Sequence, residues 1–301
     1  MKKVCILIST YNGEKYLEEQ LISLFNQTYK NILIYVRDDG SKDNTISILN
    51  KYQKLNMLKY YCGNNLKPAK SFMDLVYNAP DSDYYAFCDQ DDVWLDDKIK
   101  IAVKQLDTVD SNSPALYYGT PRLVDENLNS INKSIGHGDK MLTFNEMLID
   151  SNATGCTMVF NKKLLNILKN ANPTSFIMHD NWVHKVCIAV NGILIYDDDI
   201  HILYRQHSNN VIGTSSSNLK KIKKRISDMK FKKNKRLETI KSLNCCYRKY
   251  FNQNDKNICD LLLNYNQSYR SKLKILFSSK IKTKYIYRNL YFKLIILLNL
   301  Y

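Results

Sequence analysis

The chain alternates short, unbroken apolar runs with longer stretches whose apolar residues recur every three or four positions. Residues 4–9 are almost wholly apolar, as a strand buried on both faces requires, and they run straight into Thr10, Tyr11 and Asn12. Residues 14–26 then place Leu17, Leu21, Leu24 and Phe25 at helical spacing. A second strand is predicted over 32–36, closing on Asp38-Asp39-Gly40-Ser41, and a helix over 45–55 with Ile46, Leu49 and Tyr52 on one side. A strand over 57–62, a helix over 69–77, a strand over 84–88 and a helix over 96–108 complete the series. This alternation predicts an α/β fold, a mostly parallel central sheet with helices on both faces. Ligands of such sheets sit at the carboxyl ends of the strands. Polar residues gather there after three separate strands: Thr10 to Asn12, Asp38 with Asp39, and Asp89 to Asp92.

The second half is less regular. The pattern predicts a strand over 155–161, helices over 162–170 and 179–190, and a pair of strands over 193–196 and 200–204. Beyond Gly213 the periodicity weakens, and charge changes the picture. Residues 1–213 hold 22 Lys/Arg against 25 Asp/Glu, whereas residues 214–301 hold 22 against 4. The net +15 of the chain therefore belongs to its C-terminal part. We expect an α/β domain over 1–213 and a basic, mainly helical extension over 214–301 that faces something anionic. Lys/Arg clusters at 220–225 and 230–236, with aromatic and aliphatic anchors over 285–301, predict docking on an anionic membrane surface. No recognition motif accompanies the charge, so no nucleic-acid partner is expected. The apolar stretch 290–301, broken by Lys293 and Asn299, is too short to span a bilayer, which takes roughly 20 residues. Eight irregularly spaced cysteines without a CxxC pair suit a reduced cytosolic protein, not a disulfide framework or a zinc site. The short apolar run after Met1-Lys2-Lys3 does not read as a signal peptide. The expected location is thus cytoplasmic, peripheral to the inner face of the membrane.

The candidate chemistry concentrates in Asp89-Gln90-Asp91-Asp92, directly after an aromatic strand. Carboxylates this close repel one another unless a cation intervenes, and oxygen ligands at a sheet mouth suit Mg²⁺ or Mn²⁺. With nine glycines the chain has neither a GxGxxG fingerprint nor a P-loop. A diphosphate ligand would then need a divalent cation between it and the carboxylates.

Four linked segments carry a family resemblance: Ile6-Leu7-Ile8-Ser9-Thr10-Tyr11-Asn12-Gly13, Leu24-Phe25-Asn26-Gln27-Thr28-Tyr29, Val36-Arg37-Asp38-Asp39-Gly40-Ser41-Lys42-Asp43-Asn44-Thr45 and Asp89-Gln90-Asp91-Asp92-Val93-Trp94. In order and spacing they resemble the nucleotide-sugar domain of the family 2 glycosyltransferases, which have the GT-A (Rossmann-like) fold, and the last resembles that family's metal-binding DxD segment. The resemblance covers residues 3–212. It implies an inverting, metal-dependent glycosyltransferase. Thr10, Tyr11, Asn12 and Asp39 would hold the nucleoside-diphosphate sugar, Tyr11 by its ring and Asp39 through the base N3–H. Asp89 would contact the ribose or order the metal site, and Asp91 would bind Mg²⁺ or Mn²⁺. Asp180, in His179-Asp180-Asn181-Trp182-Val183, stands in the place of the family's acidic base motif, which often reads Glu-Asp. Tyr204-Arg205-Gln206-His207 and the residues to Gly213 resemble the end of the catalytic domain in bacterial rhamnosyltransferase-like members. There His207 would reach the metal or diphosphate and Arg205 would offset leaving-group charge. Residues 152–156 would form a loop near donor sugar and acceptor.

That branch implies a dTDP-β-L-rhamnose donor, with UDP-hexose as the alternative, and as acceptor a growing bacterial surface glycan on a lipid carrier. A haloacid-dehalogenase-type phosphatase using Asp89 and Asp91 is a rival, but it leaves the Thr10 and Asp38 edges without a task. A non-enzymatic basic lipid- or nucleic-acid-binding adaptor explains the tail and not the carboxylates. Asp96 and Asp97 read as first-turn helix acids, and Asp197 to Asp199 as a turn.

Overall fold

The computed structural model describes residues 1–131, 142–149, 153–207 and 234–301. Its first half follows the hydrophobic pattern: β1 (Val4–Thr10), α1 (Leu17–Phe25), β2 (Ile32–Asp38), α2 (Thr45–Lys54), β3 (Lys59–Cys62), α3 (Lys67–Asn78) and β4 (Tyr84–Cys88). Then come β5 (Val93–Trp94), α4 (Lys98–Leu106), β6 (Ala115–Gly119), β7 (Arg122–Val124), α5 (Phe144–Ile149), β8 (Val159–Asn161), α6 (Lys162–Lys169), α7 (His179–Ala189), β9 (Ile193–Asp197) and β10 (Ile202–Arg205). The C-terminal region adds α8 (Lys235–Tyr247), α9 (Gln253–Leu263), α10 (Tyr269–Leu276) and α11 (Ile286–Leu297).

The main sheet has seven strands in the order β3-β2-β1-β4-β8-β6-β9. All neighbouring pairs are parallel except those of β8, which runs against β4 and β6. The order reverses between β1 and β4, the crevice where open α/β sheets bind ligands. Alternate residues of β1 feed two cores. Val4, Ile6 and Ile8 face Leu17, Leu21 and Leu24 of α1 and Ile99 and Val103 of α4, while Cys5 and Leu7 join Phe72 and Val76 of α3 and Trp182 and Val186 of α7. Helices thus cover both faces of a continuous apolar sheet.

Two expectations are corrected. Residues 155–161 do not form one strand: Gly155–Thr157 is a 3₁₀ turn whose Thr157 Oγ1 donates back to the Thr154 carbonyl, and only Val159–Asn161 pairs. The strands after Gly192 do not pair with each other. β9 lies parallel to β6, for which the pattern predicted no element, whereas β10 sits between β5 and β7 in a separate three-stranded sheet. β9 takes a five-residue parallel register on β6, and β10 pairs with β5 and β7.

Leu237, Ile240, Leu243 and Tyr247 of α8, with Phe292, Ile295 and Ile296 of α11, join the apolar cluster on the α3–α7 side. Tyr301 Oη donates to the Leu148 carbonyl at 2.6 Å. The basic clusters at 220–225 and 230–233 lie outside the described residues, as do Asn152 and residues 208–213.

Candidate active site

Three loops at the carboxyl edge are fastened to one another before any ligand is considered. Thr10, fully buried, donates through Oγ1 to Asp38 Oδ1 at 3.0 Å. Asp38 also accepts from the Gly40 and Ser41 amides, closing the β2 turn. The Gln90 amide clamps the Tyr11 backbone from both sides, accepting its N–H at 2.9 Å and donating to its carbonyl at 3.1 Å. A Cβ at Gly13 would stand 2.3 Å from Gln90 Oε1, so a larger residue there would push the Gln90 clamp aside. Asn12 takes a left-handed backbone (φ 47°), which asparagine tolerates, and its side chain accepts from the Lys42 amide. Tyr11 is left with its ring exposed at the crevice, where a planar base could stack on it.

Asp39 is buried against Arg37, with which it forms a short ion pair, and accepts from the Leu66 and Lys67 amides. Its carboxylate therefore also orients the β3–α3 connection. Arg37 reaches on to Asp74 at 2.9 Å.

The acid segment after β4 meets the end of β10. Asp91 Oδ2 lies 2.8 Å from His207 Nε2, and the His207 ring stacks at 4.9 Å on Tyr16. Asp92 is 1% exposed; its Oδ1 accepts from the Arg205 amide, while its buried Oδ2 finds no hydrogen-bond partner among the described residues. Arg205 is itself 2% exposed. Its guanidinium donates to the Asp91 and Glu126 carbonyls, pairs with Glu19 and lies 4.6 Å over the Tyr16 ring. A side chain so engaged holds the Asp91 loop against α1 and β10 instead of facing a leaving group across solvent.

Asp180 lies in the first turn of α7. Its Oδ2 accepts from the Gly155 amide at 3.2 Å and its Oδ1 from the Asn181 amide. The preceding His179 is buried, stacked on Phe72 at 3.9 Å and edge-on to Phe87. Burial pushes its pKa down to about 4, so the ring is neutral and apolar in function. The position packs against α3 and carries no charge.

The electrostatics draw the carboxylates into one site. Burial, then the charges of Asp91 and Asp180, push Asp89 up to about 8. Burial with Asp91 and Asp89 raises Asp92 well above the ordinary range. Ligand atoms of Asp89, Asp92 and Cys156 approach within 4.8 Å of one another. Asp92 is sealed beneath and held by the Arg205 amide, whereas Asp89 and Asp91 are half-buried, so the side presented to the crevice is theirs. Beneath Asp92, the buried Lys98 ammonium lies 3.8 Å over the Trp94 ring; burial pushes its pKa down to about 8. Carboxylates raised by burial and then by one another's charge mark a site short of positive charge, and oxygen donors with one imidazole fit a hard divalent cation.

Residues 5–168 match the sequence profile of the family described as Glycosyl transferase family 2. The chain belongs to this family. It is a glycosyltransferase, and the haloacid-dehalogenase and adaptor alternatives fall with that finding. The transferase is 32% identical over 232 residues to the dTDP-rhamnosyl transferase RfbG of Shigella flexneri, spanning 70% of this chain and 75% of that one. It is 25% identical over 163 residues to the UDP-Glc:alpha-D-GlcNAc-diphosphoundecaprenol beta-1,3-glucosyltransferase WfgD of Escherichia coli, 54% of this chain and 62% of that one. Among solved structures, S. aureus TarS in complex with UDP-GlcNAc superposes with a TM-score of 0.61 at 18% identity, covering 96% of this chain and 79% of its own. The mannosyltransferase PcManGT of Pyrobaculum calidifontis, solved with GDP-Man and Mn²⁺, superposes at 0.53 and 13%, covering 100% and 87%. Both likenesses establish the GT-A fold.

Within the transferase, the sequence motifs carried no individual role for Gln90, Lys98 or Tyr204, and placed Cys156 only within a loop near the donor sugar. Tyr204 is held protonated by burial and then by the Asp89 charge. Gln90 had a signal in its place inside the acid segment, Tyr204 in the segment that runs to Gly213 and Cys156 in the loop over 152–156. Lys98 is brought in by packing.

Proposed function

We propose that this chain transfers L-rhamnose from dTDP-β-L-rhamnose, with inversion, to a hydroxyl of a lipid-linked bacterial surface glycan. Residues 1–213 serve as the catalytic domain and 214–301 as an extension facing the anionic membrane that carries the acceptor. The 32% identity to a dTDP-rhamnosyl transferase over 70% of this chain carries the choice of donor. The name of WfgD, with its diphosphoundecaprenol acceptor, supports a lipid-linked acceptor.

In this reading Tyr11 stacks on the thymine base, and Thr10, Asn12 and Asp39 shape the loops that receive it. Asp89, Asp91 and His207 would hold Mg²⁺ or Mn²⁺, which supplies charge to stabilise the departing diphosphate. Asp180 removes the proton from the acceptor hydroxyl as that oxygen bonds to the anomeric carbon. The bond from this carbon to the diphosphate oxygen breaks, and dTDP leaves with the electron pair. Attack opposite the leaving group turns the β-donor into an α-rhamnoside. Arg205 acts as a positioning residue, keeping the Asp91 loop in place.

The experiment is calorimetric titration of dTDP and of UDP with and without Mn²⁺, followed by turnover of dTDP-β-L-rhamnose and UDP-glucose. Metal-dependent dTDP binding with rhamnose transfer supports the reading. Preference for UDP and glucose transfer moves the assignment to a UDP-hexose enzyme of the same fold.

A further inference from the structure

The last helix is apolar on two sides. Phe292, Ile295 and Ile296 of α11 are buried in the common core. On the other side Ile286, Leu290, Leu294 and Leu297 are 76, 62, 46 and 53% exposed, a stripe at helical spacing. Phe277, just past α10, is 82% exposed. An exposed apolar stripe of this kind marks a surface that meets protein or lipid. At twelve residues α11 is too short to cross a bilayer, and no described helix is long and apolar enough to do so.

Charge selects the occupant. After Asp260 the sequence holds eight Lys/Arg and no Asp/Glu. Lys274, Lys280, Lys282 and Lys293 are exposed. A second copy would set this cationic region against itself, since a two-fold contact brings the same patch together. An anionic lipid surface instead accepts both components, headgroups meeting the lysines and acyl chains the stripe.

We propose that the outer stripe of α11, with Phe277, is the surface by which the enzyme lies in the plane of an anionic membrane. This rests on the membrane-facing reading of residues 214–301 and names the face responsible.

The test is flotation of the full chain, without nucleotide sugar, on vesicles of equal parts phosphatidylcholine and phosphatidylglycerol, compared with phosphatidylcholine alone. The wild type should float with the anionic vesicles only. Leu290→Glu/Leu294→Glu should weaken binding by about tenfold or more, as expected when two leucines lose their burial. Ile22→Glu, on an exposed apolar residue of α1, should bind as wild type. Both leucines are exposed, so melting should hold; if the glutamates unfold the chain, Leu290→Ser/Leu294→Ser gives the same reading without added charge. Full binding by the folded double variant overturns the α11 face and leaves the membrane reading standing. A wild type that ignores anionic vesicles overturns both. A wild-type dimer that the variant converts to monomer, with vesicle binding unchanged, assigns the stripe to a second copy and overturns the proposal.

Discussion

Asp91 and His207 are 116 positions apart in the chain and 2.8 Å apart in space, Oδ2 to Nε2. The contact ties the acid segment after β4 to the end of β10, across the two sheets. An imidazole that orients a metal-binding carboxylate, or joins it as a ligand, commonly changes metal affinity by about 10–100-fold when removed. We expect His207→Ala to weaken Mn²⁺-dependent dTDP binding within that range and Asp91→Asn to abolish it. Calorimetry decides the matter; wild-type affinity in His207→Ala would reduce the pair to a structural contact.

Asp180→Asn keeps the shape and one of the two backbone amides that the carboxylate accepts, from Gly155 and Asn181, but cannot take a proton. Donor binding should stay within about twofold of wild type, while transfer falls by about 10²–10⁴. Comparable losses in both would point to a binding role instead.

His179 and His184 are buried and neutral, with pKa values pushed down to about 4 and about 3, mainly by burial. In the unfolded chain both titrate near 6.5. Between these values the unfolded state binds more protons, so stability is complete above about pH 6.5 and falls as pH drops, by at most about 1.4 kcal/mol per unit per group. Acid melts of His179→Phe, which keeps the stack on Phe72, should show a shallower decline than wild type. An unchanged slope would mean that His179 is protonated in the folded state.

Asp89 has the opposite sign. Its folded value, about 8, lies above the ordinary carboxylate range, and Asp92 is raised as well. The folded state therefore binds these protons more tightly, and the metal-free protein loses stability as pH rises from about 4 towards about 8. A divalent cation should offset this loss. Mg²⁺ is expected to raise Tm more at about pH 8 than at about pH 5.5; equal shifts would argue against these carboxylates as its ligands.

Arg205→Gln removes the fork that joins the Asp91 and Glu126 carbonyls to Glu19. Glu19 is half exposed and can be rehydrated, so the cost comes chiefly from the two carbonyls, about 1–3 kcal/mol. Thermal unfolding should register this, with metal affinity falling as the Asp91 loop slackens. A fully stable variant with a raised donor KM would instead give Arg205 direct contact with the diphosphate.

Much of the catalytic half was legible before folding. β1, β2 and β4 are near-continuous apolar runs, and each ends in the polar residues that edge the crevice. Repeated period and abrupt change of polarity are local signals, so they survive without coordinates. β6, the short run Ala115-Leu116-Tyr117-Tyr118, was assigned no element, and the pattern placed β9 and β10 without showing that they join different sheets, because strand pairing compares distant partners that a local pattern cannot weigh. Arg205 shows the same limit within the site. Its place near the acid segment could be expected, but not that Glu19, Glu126 and Tyr16 would take up its guanidinium.

By itself, then, the sequence determined the α/β alternation, the acid edge and the cationic C-terminal region, because each depends on residue type and local spacing alone. Tertiary structure decided which carboxylate stays sealed, which faces the crevice, and which side of α11 is left uncovered. Those outcomes depend on desolvation and long-range packing, which act only once distant segments such as Asp92, Cys156 and Arg205 have been brought together.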